Sequence, residues 1–120
     1  MPALDSPIEF ELTNKVLAVL QAMLTEQEHW QRECGRLRIR EEGNRACIEA
    51  FLRTEPLAWY LMRLKESGDP GKALATAKRQ AKIIVDTWSR RREPERIDVL
   101  PYFRRLEAWH KRIIAASFQS

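Results

Sequence analysis

Apolar residues recur every three or four positions along most of the chain, which is the spacing of a helix with one buried face. Either Ser6, as an N-cap before Pro7, or Thr13 could begin the first helix, and Gly35 could end it. The stripe of this helix runs through Leu12, Val16, Leu20, Met23, Gln27, Trp30 and Cys34. The pattern therefore predicts a first helix that stops at Gly35.

The stretch that follows is ambiguous. Residues 36–40 alternate polar and apolar side chains, which is the period of a strand, but the chain has no second strand pattern to pair with it. We therefore expect a helix or an irregular bridge that ends near Gly43. Asn44 can cap a helix over residues 45–53, and Thr54 with Pro56 predicts a new helix start that leads to Gly68.

Two further helix starts are predicted in the remaining chain. Asp69 before Pro70 begins a helix that should stop before Pro94, because a residue preceding proline is pushed out of the helical region. Asp98 can cap the last helix. The sequence therefore predicts an all-α protein, a compact bundle of about five helices in a single domain that covers residues 1–120.

Charge is sorted along the chain. Residues 1–70 form an acidic half with nine Lys or Arg against twelve Asp or Glu, and residues 71–120 form a basic half with twelve against five. In the two helices of the basic half the cations lie away from the apolar stripe, so a hairpin of these helices would present them on one surface. We expect the following residues to contact nucleic-acid phosphates: Lys78, Lys82, Arg90, Arg91, Arg104, Arg105, Lys111 and Arg112.

Two features of the basic half have alternative explanations. Arg90 and Arg91 lie at the end of a predicted helix, where the helix dipole favours cations without any ligand. Trp88 and Trp109 stand at positions compatible with the apolar stripe, so these rings either belong to the core or stack on bases. The sequence leaves both questions open.

Residues with catalytic or metal-binding chemistry are scarce. Two cysteines and two histidines lack the paired short spacings of zinc sites, so we expect no metal, no cofactor and no enzymatic activity. The turn at residues 68–72 resembles the end of a phosphate-binding loop, but Ala73 stands where that motif needs Ser or Thr. The acidic N-terminus and the absence of a long apolar run predict a cytoplasmic protein that does not contact membranes.

Two functions fit these observations. The first is a non-enzymatic helical accessory protein that binds the phosphate backbone of DNA or RNA through its basic C-terminal face, as a small subunit of a nucleoprotein complex. The alternative is a helical protein–protein interaction module, an adaptor, inhibitor or assembly factor of bacterial or phage type. Such a module would dock on an acidic protein partner, or its two halves would pair between copies in a homo-oligomer.

Two segments also resemble a known family. Residues 43–52, GNRACIEAFL, and residues 106–110, LEAWH, are similar to two helical segments of the small all-α subunits of CRISPR effector complexes. The resemblance covers about fifteen of the 120 residues. It implies a non-catalytic subunit that lines a path for nucleic acid.

Overall fold

Four helices build the computed structural model, which describes residues 12–40, 45–91 and 97–118. They are α1 (Asn14–Arg40), α2 (Arg45–Ser67), α3 (Pro70–Arg91) and α4 (Leu100–Phe118). Every regular element within these ranges is helical, so the all-α class is confirmed. The expected number of about five helices is wrong, because the described chain contains four.

Contacts between the helices define an up-and-down arrangement. Near the end of α1, the Cys34 sulfur lies 3.9 Å from the carbonyl oxygen of Cys47 at the start of α2, so these two helices are antiparallel. A two-residue turn reverses the chain again between α2 and α3. Tyr60 in α2 contacts His110 in α4. Trp88, near the end of α3, packs with Leu52 near the start of α2 and Tyr102 near the start of α4. Helix α4 is therefore antiparallel to α3, and α2 and α4 begin at the same end of the bundle.

The core joins all four helices and continues along the bundle in three clusters of buried side chains. The central cluster contains Met23 of α1, Tyr60 of α2 and Ile113 of α4, each with no exposed surface, together with alanines of α3. The second cluster surrounds Trp88, which is 5% exposed. The third contains both cysteines, which are buried.

Of the stripe expected in the first helix, Val16, Met23 and Cys34 are buried, and Leu20, Gln27 and Trp30 are partly buried. Leu12 is 64% exposed, so the stripe begins one turn later than expected.

Several predicted helix boundaries are confirmed by hydrogen bonds. The Thr13 hydroxyl accepts the backbone N–H three residues on at 3.2 Å, and the Asp69 carboxylate accepts the N–H two residues on at 2.9 Å. Asp98 caps α4 in the same way at 3.0 Å. Gly68 ends α2 with a φ of 65°, which a side chain would strain. The signals at Ser6, Asn44 and Pro94 lie outside the described residues.

The helix start predicted at Thr54 and Pro56 is wrong. Helix α2 continues through both residues. The Thr54 hydroxyl donates to the carbonyl oxygen of Gln27 in α1 at 3.3 Å, and the Gln27 amide approaches it at 3.4 Å, so it joins two helices instead of capping one. Pro56 is buried inside the helix, where its packing offsets the backbone hydrogen bond that proline cannot make.

The helix end predicted at Gly35 is also wrong. Helix α1 runs on to Arg40, and Gly35 is exposed and without the positive φ of a helix end. Leu37, beyond this glycine, packs against the cluster that contains Cys34 and Cys47. Burial against α2 therefore extends α1 past a glycine that alone would favour a stop. Residues 36–40 are helical, so the helical interpretation of their alternating pattern is confirmed.

Candidate nucleic-acid interface

Lys78 lies at the interface between α3 and α4. Its Nζ lies 3.6 Å from a carboxylate oxygen of Glu107 and 5.5 Å from the ring centroid of Phe103, both on α4. The side chain is 32% exposed. Lys78 therefore helps to hold the two helices together, and Glu107 neutralises much of its charge.

Four cations point outward from these two helices, and we call them the outer basic face. They are Arg79 and Lys82 on α3, and Arg104 and Lys111 on α4, and all four are exposed. Spacings of three and seven residues keep each pair on one side of its helix. Within the described part of the chain, no carboxylate forms an ion pair with any of the four. Asp86, one turn beyond Lys82, lowers the net charge of this face.

Two of the expected phosphate contacts instead make contacts elsewhere, Arg105 with α1 and Arg112 with an aromatic ring of its own helix. Arg105 forms an ion pair with Glu26, and the same carboxylate accepts the indole N–H of Trp109 at 2.6 Å. The guanidinium carbon of Arg112 lies 4.5 Å from the ring centroid of Trp109. Arg105 thus belongs to the contact between α1 and α4, and Arg112 lies over Trp109, so neither is counted with the outer basic face.

Arg90 and Arg91 lie in the last turn of α3. Because α3 and α4 are antiparallel, this turn is at the end of the bundle where α4 begins. The backbone therefore places them at the same end as Arg104. Their side chains lie outside the described residues.

The aromatic residues of the basic half belong mainly to the interior. Trp88 is 5% exposed and Tyr102 is 9% exposed, so neither ring presents a face on which a base could stack. Trp109 is partly buried against the central cluster. The core interpretation of Trp88 is confirmed, whereas Trp109 lies at the edge of the core with part of its surface exposed. The phosphate contacts would therefore have to come from the cations.

Two arginines of the acidic half were missed by the sequence analysis. Arg45 and Arg53 lie on one side of α2 and line a cleft of about 360 Å³ between the beginnings of α2 and α4, together with Arg105. The guanidinium carbon of Arg53 lies 4.3 Å from the ring centroid of Trp30. Their eight-residue spacing indicated a shared helix face. Counting charge by position along the chain concealed their proximity to α4.

His110 and Tyr60 form a part-buried contact between α2 and α4. The Tyr60 hydroxyl lies 3.2 Å from Nδ1 of His110. Burial raises the pKa of Tyr60, whereas burial and then the positive charge of Lys78 lower the pKa of His110. Both groups are therefore favoured in their neutral forms, which suits a structural hydrogen bond.

Two other kinds of feature, a metal-binding cluster and a membrane-spanning helix, are not present within the described ranges. No cluster of three or more His, Cys, Asp or Glu side chains there could hold a metal ion. None of the helices, over the same residues, combines the length and apolar character that crossing a membrane requires.

Comparison with known proteins adds no further information on function. No protein-family model, no curated protein and no solved structure matches this chain. The resemblance to small CRISPR effector subunits therefore stays a prediction, and a functional proposal has to rest on the geometry.

Proposed function

We propose that this protein is a non-enzymatic helical protein that binds the phosphate backbone of DNA or RNA through the outer basic face. The observation that supports the proposal is that the four cations of this face are exposed and, among the described residues, unpaired with carboxylates. All four lie on adjacent helices. An exposed cation without a partner exchanges only counterions and water when a phosphate binds, and counterion release favours binding.

The spacing of these cations suits a repeating polyanion. Arg104 and Lys111 are seven residues apart, which separates their Cα atoms by about 10 Å along α4. Arg79 and Lys82 extend the positive surface onto α3. Lysine and arginine contacts to phosphate position a strand but carry no sequence information. We therefore propose binding with little sequence preference, to DNA and RNA alike.

Paired substitutions on each helix test this proposal. Arg104→Ala with Lys111→Ala, and Arg79→Ala with Lys82→Ala, should each weaken oligonucleotide binding by roughly tenfold or more at low salt. Fluorescence anisotropy measures the affinity. The control is Lys15→Ala with Lys65→Ala, which removes the same charge from exposed positions on α1 and α2.

The control decides whether the position of the charge matters. A loss of affinity in the control as large as in the other two variants would show that net charge, not the outer basic face, attracts the strand. Failure of the unaltered protein to bind any oligonucleotide at low salt would contradict the proposal outright. Equal melting temperatures for all variants by circular dichroism would exclude unfolding as the cause.

A protein-docking module is the second candidate function, and one observation favours it. Leu17 and Leu24 of α1 are 42% and 44% exposed, and their seven-residue spacing places them on one side of the helix. Exposed leucines at this spacing are typical of helices that pack on another chain. A mass by light scattering equal to two chains would favour self-association through such a face.

A further inference from the structure

The cleft between α2 and α4 lies apart from the outer basic face. It has a volume of about 360 Å³, and its charged and polar lining consists of Arg45, Glu49, Arg53, Asp98, Tyr102 and Arg105. This volume is in the lower part of the range found for small-molecule sites. A single phosphate group or a nucleotide would fit such a space.

The lining carries three guanidinium groups against two carboxylates, and both carboxylates are engaged. Asp98 accepts the N–H of Leu100 at 3.0 Å as the cap of α4. Glu49 accepts a hydrogen bond from Arg45 at 3.2 Å, in a pair whose side chains are 39% and 51% exposed. Exposed pairs of this kind contribute little free energy, so an incoming anion with more charge could replace Glu49 as the partner of Arg45.

The other two arginines are held in place by neighbours from α1. Glu26 forms an ion pair with Arg105, and the ring of Trp30 lies under the guanidinium of Arg53. A guanidinium has five N–H donors in a fixed fork, so one neighbour leaves several donors available. Because these two side chains are already held in place, they lose less conformational entropy when a ligand binds.

Tyr102 and the helix ends add to the preference for an anion. Burial, and then the negative charge of Glu49, raise the pKa of Tyr102 against the opposing effect of Arg53, so its hydroxyl stays a neutral donor. Helices α2 and α4 both begin beside the cleft. The positive ends of their dipoles therefore lie at the same place, which favours negative charge.

We propose that this cleft binds a phosphate monoester, the group that ends a phosphorylated nucleic-acid strand or completes a mononucleotide. A monoester carries close to two negative charges near neutral pH and three oxygens that can accept from arginine forks. The diester inside a strand carries one charge and is flanked by sugar on both sides. The cleft therefore suits a terminal phosphate better than an internal one.

Two arms of one experiment distinguish the sources of the monoester. Calorimetry compares adenosine 5′-monophosphate with adenosine, and anisotropy compares a 3′-labelled oligonucleotide that ends in a 5′-phosphate with the same strand ending in a 5′-hydroxyl. In at least one arm the phosphorylated probe should bind about tenfold more tightly. Only the strand arm rests on the proposed function, because the nucleotide arm contains no strand.

Variants assign the preference to the cleft. Arg45→Gln and Arg53→Gln should each remove most of the preference for the phosphorylated probe. Arg63→Gln is the matched control, since Arg63 is an exposed arginine of the same helix that also pairs with a glutamate one turn on. Arg45 is itself exposed, so its variant should fold even if the half-buried Arg53 proves necessary for stability.

Two results would overturn the inference. One is equal affinity for the phosphorylated and unphosphorylated probes in both arms. The other is a preference that Arg45→Gln leaves at its original size, because the phosphate would then bind elsewhere. If the oligonucleotide binds equally tightly with either end group and the nucleotide arm also shows no preference, the cleft proposal is contradicted and the outer basic face is unaffected.

Discussion

Individual side chains connect the helices of this bundle through a small number of polar contacts at the edge of the apolar core. The contact between Tyr60 and His110 joins the parallel helices α2 and α4. Glu26 joins α1 to α4 by accepting from Trp109 while it pairs with Arg105. Such contacts fix which faces of the helices meet, because an unmatched polar group in the interior lowers stability.

His110 makes stability depend on pH. Burial and Lys78 lower the pKa of His110 in the folded chain, so the unfolded chain takes up a proton more readily. The free energy of unfolding should therefore decrease as the pH falls through about 6.5, the ordinary histidine value, towards the lower folded value. Urea unfolding at several values between about pH 7 and pH 5 should detect the loss.

Two substitutions isolate this effect. His110→Gln should reduce the loss of stability over that pH range, because the titrating group is gone. His29→Gln should keep the loss, since His29 is exposed on α1. An identical pH dependence for the unaltered protein and His110→Gln would contradict the assignment to His110.

At the level of helices, two glycines with opposite roles test where α1 continues and where α2 ends. Gly35 lies inside α1 without a positive φ, and a Cβ added there would meet no atom within 4 Å. Gly35→Ala should raise the free energy of unfolding by about 0.5–1 kcal/mol, because glycine loses more backbone entropy in a helix. Chemical unfolding measures this change.

Gly68 is the counterpart. Its φ of 65° ends α2, and its N–H donates to the carbonyl oxygen of Leu64 at 2.8 Å. Gly68→Ala should lower stability by about 1 kcal/mol, because a side chain strains this conformation. Changes of the same sign at both positions would contradict the described course of α1 and α2.

The two errors in the predicted helix boundaries have the same physical cause. Local signals at Gly35 and at Thr54 with Pro56 favoured a break, and each break was overridden by contacts with another helix. Asp69 and Asp98 met no such competition, and both cap helices as predicted. A boundary is thus predictable where the capping group has no partner in tertiary structure, and uncertain where it does.

At the scale of the whole molecule, charge is arranged around the bundle rather than by halves of the chain. The up-and-down order brings Arg45 and Arg53 of the acidic half beside Arg105 of the basic half. It also pairs Arg105 with Glu26 of α1, so Arg105 is not part of the outer basic face that contains Arg104 and Lys111. Periodicity predicts which residues point inward, but the neighbour of an outward residue depends on how the helices are placed.

The candidate site could therefore be predicted in part. Exposure of Lys82, Arg104 and Lys111 followed from their distance to the apolar stripe, and the structure agrees. The pairing of Lys78 with Glu107 required the register of α3 against α4, which no pattern within one helix contains. For the same reason the cleft at the beginnings of α2 and α4 was not predicted.

The salt dependence of oligonucleotide binding tests the central claim most directly. If the outer basic face acts together with Arg90 and Arg91, affinity should fall by roughly a thousandfold between about 50 and 200 mM salt. Arg104→Ala with Lys111→Ala should lower the slope of log affinity against log salt by about two. A slope near zero, or one that this double substitution leaves unchanged, would contradict phosphate binding by the outer basic face.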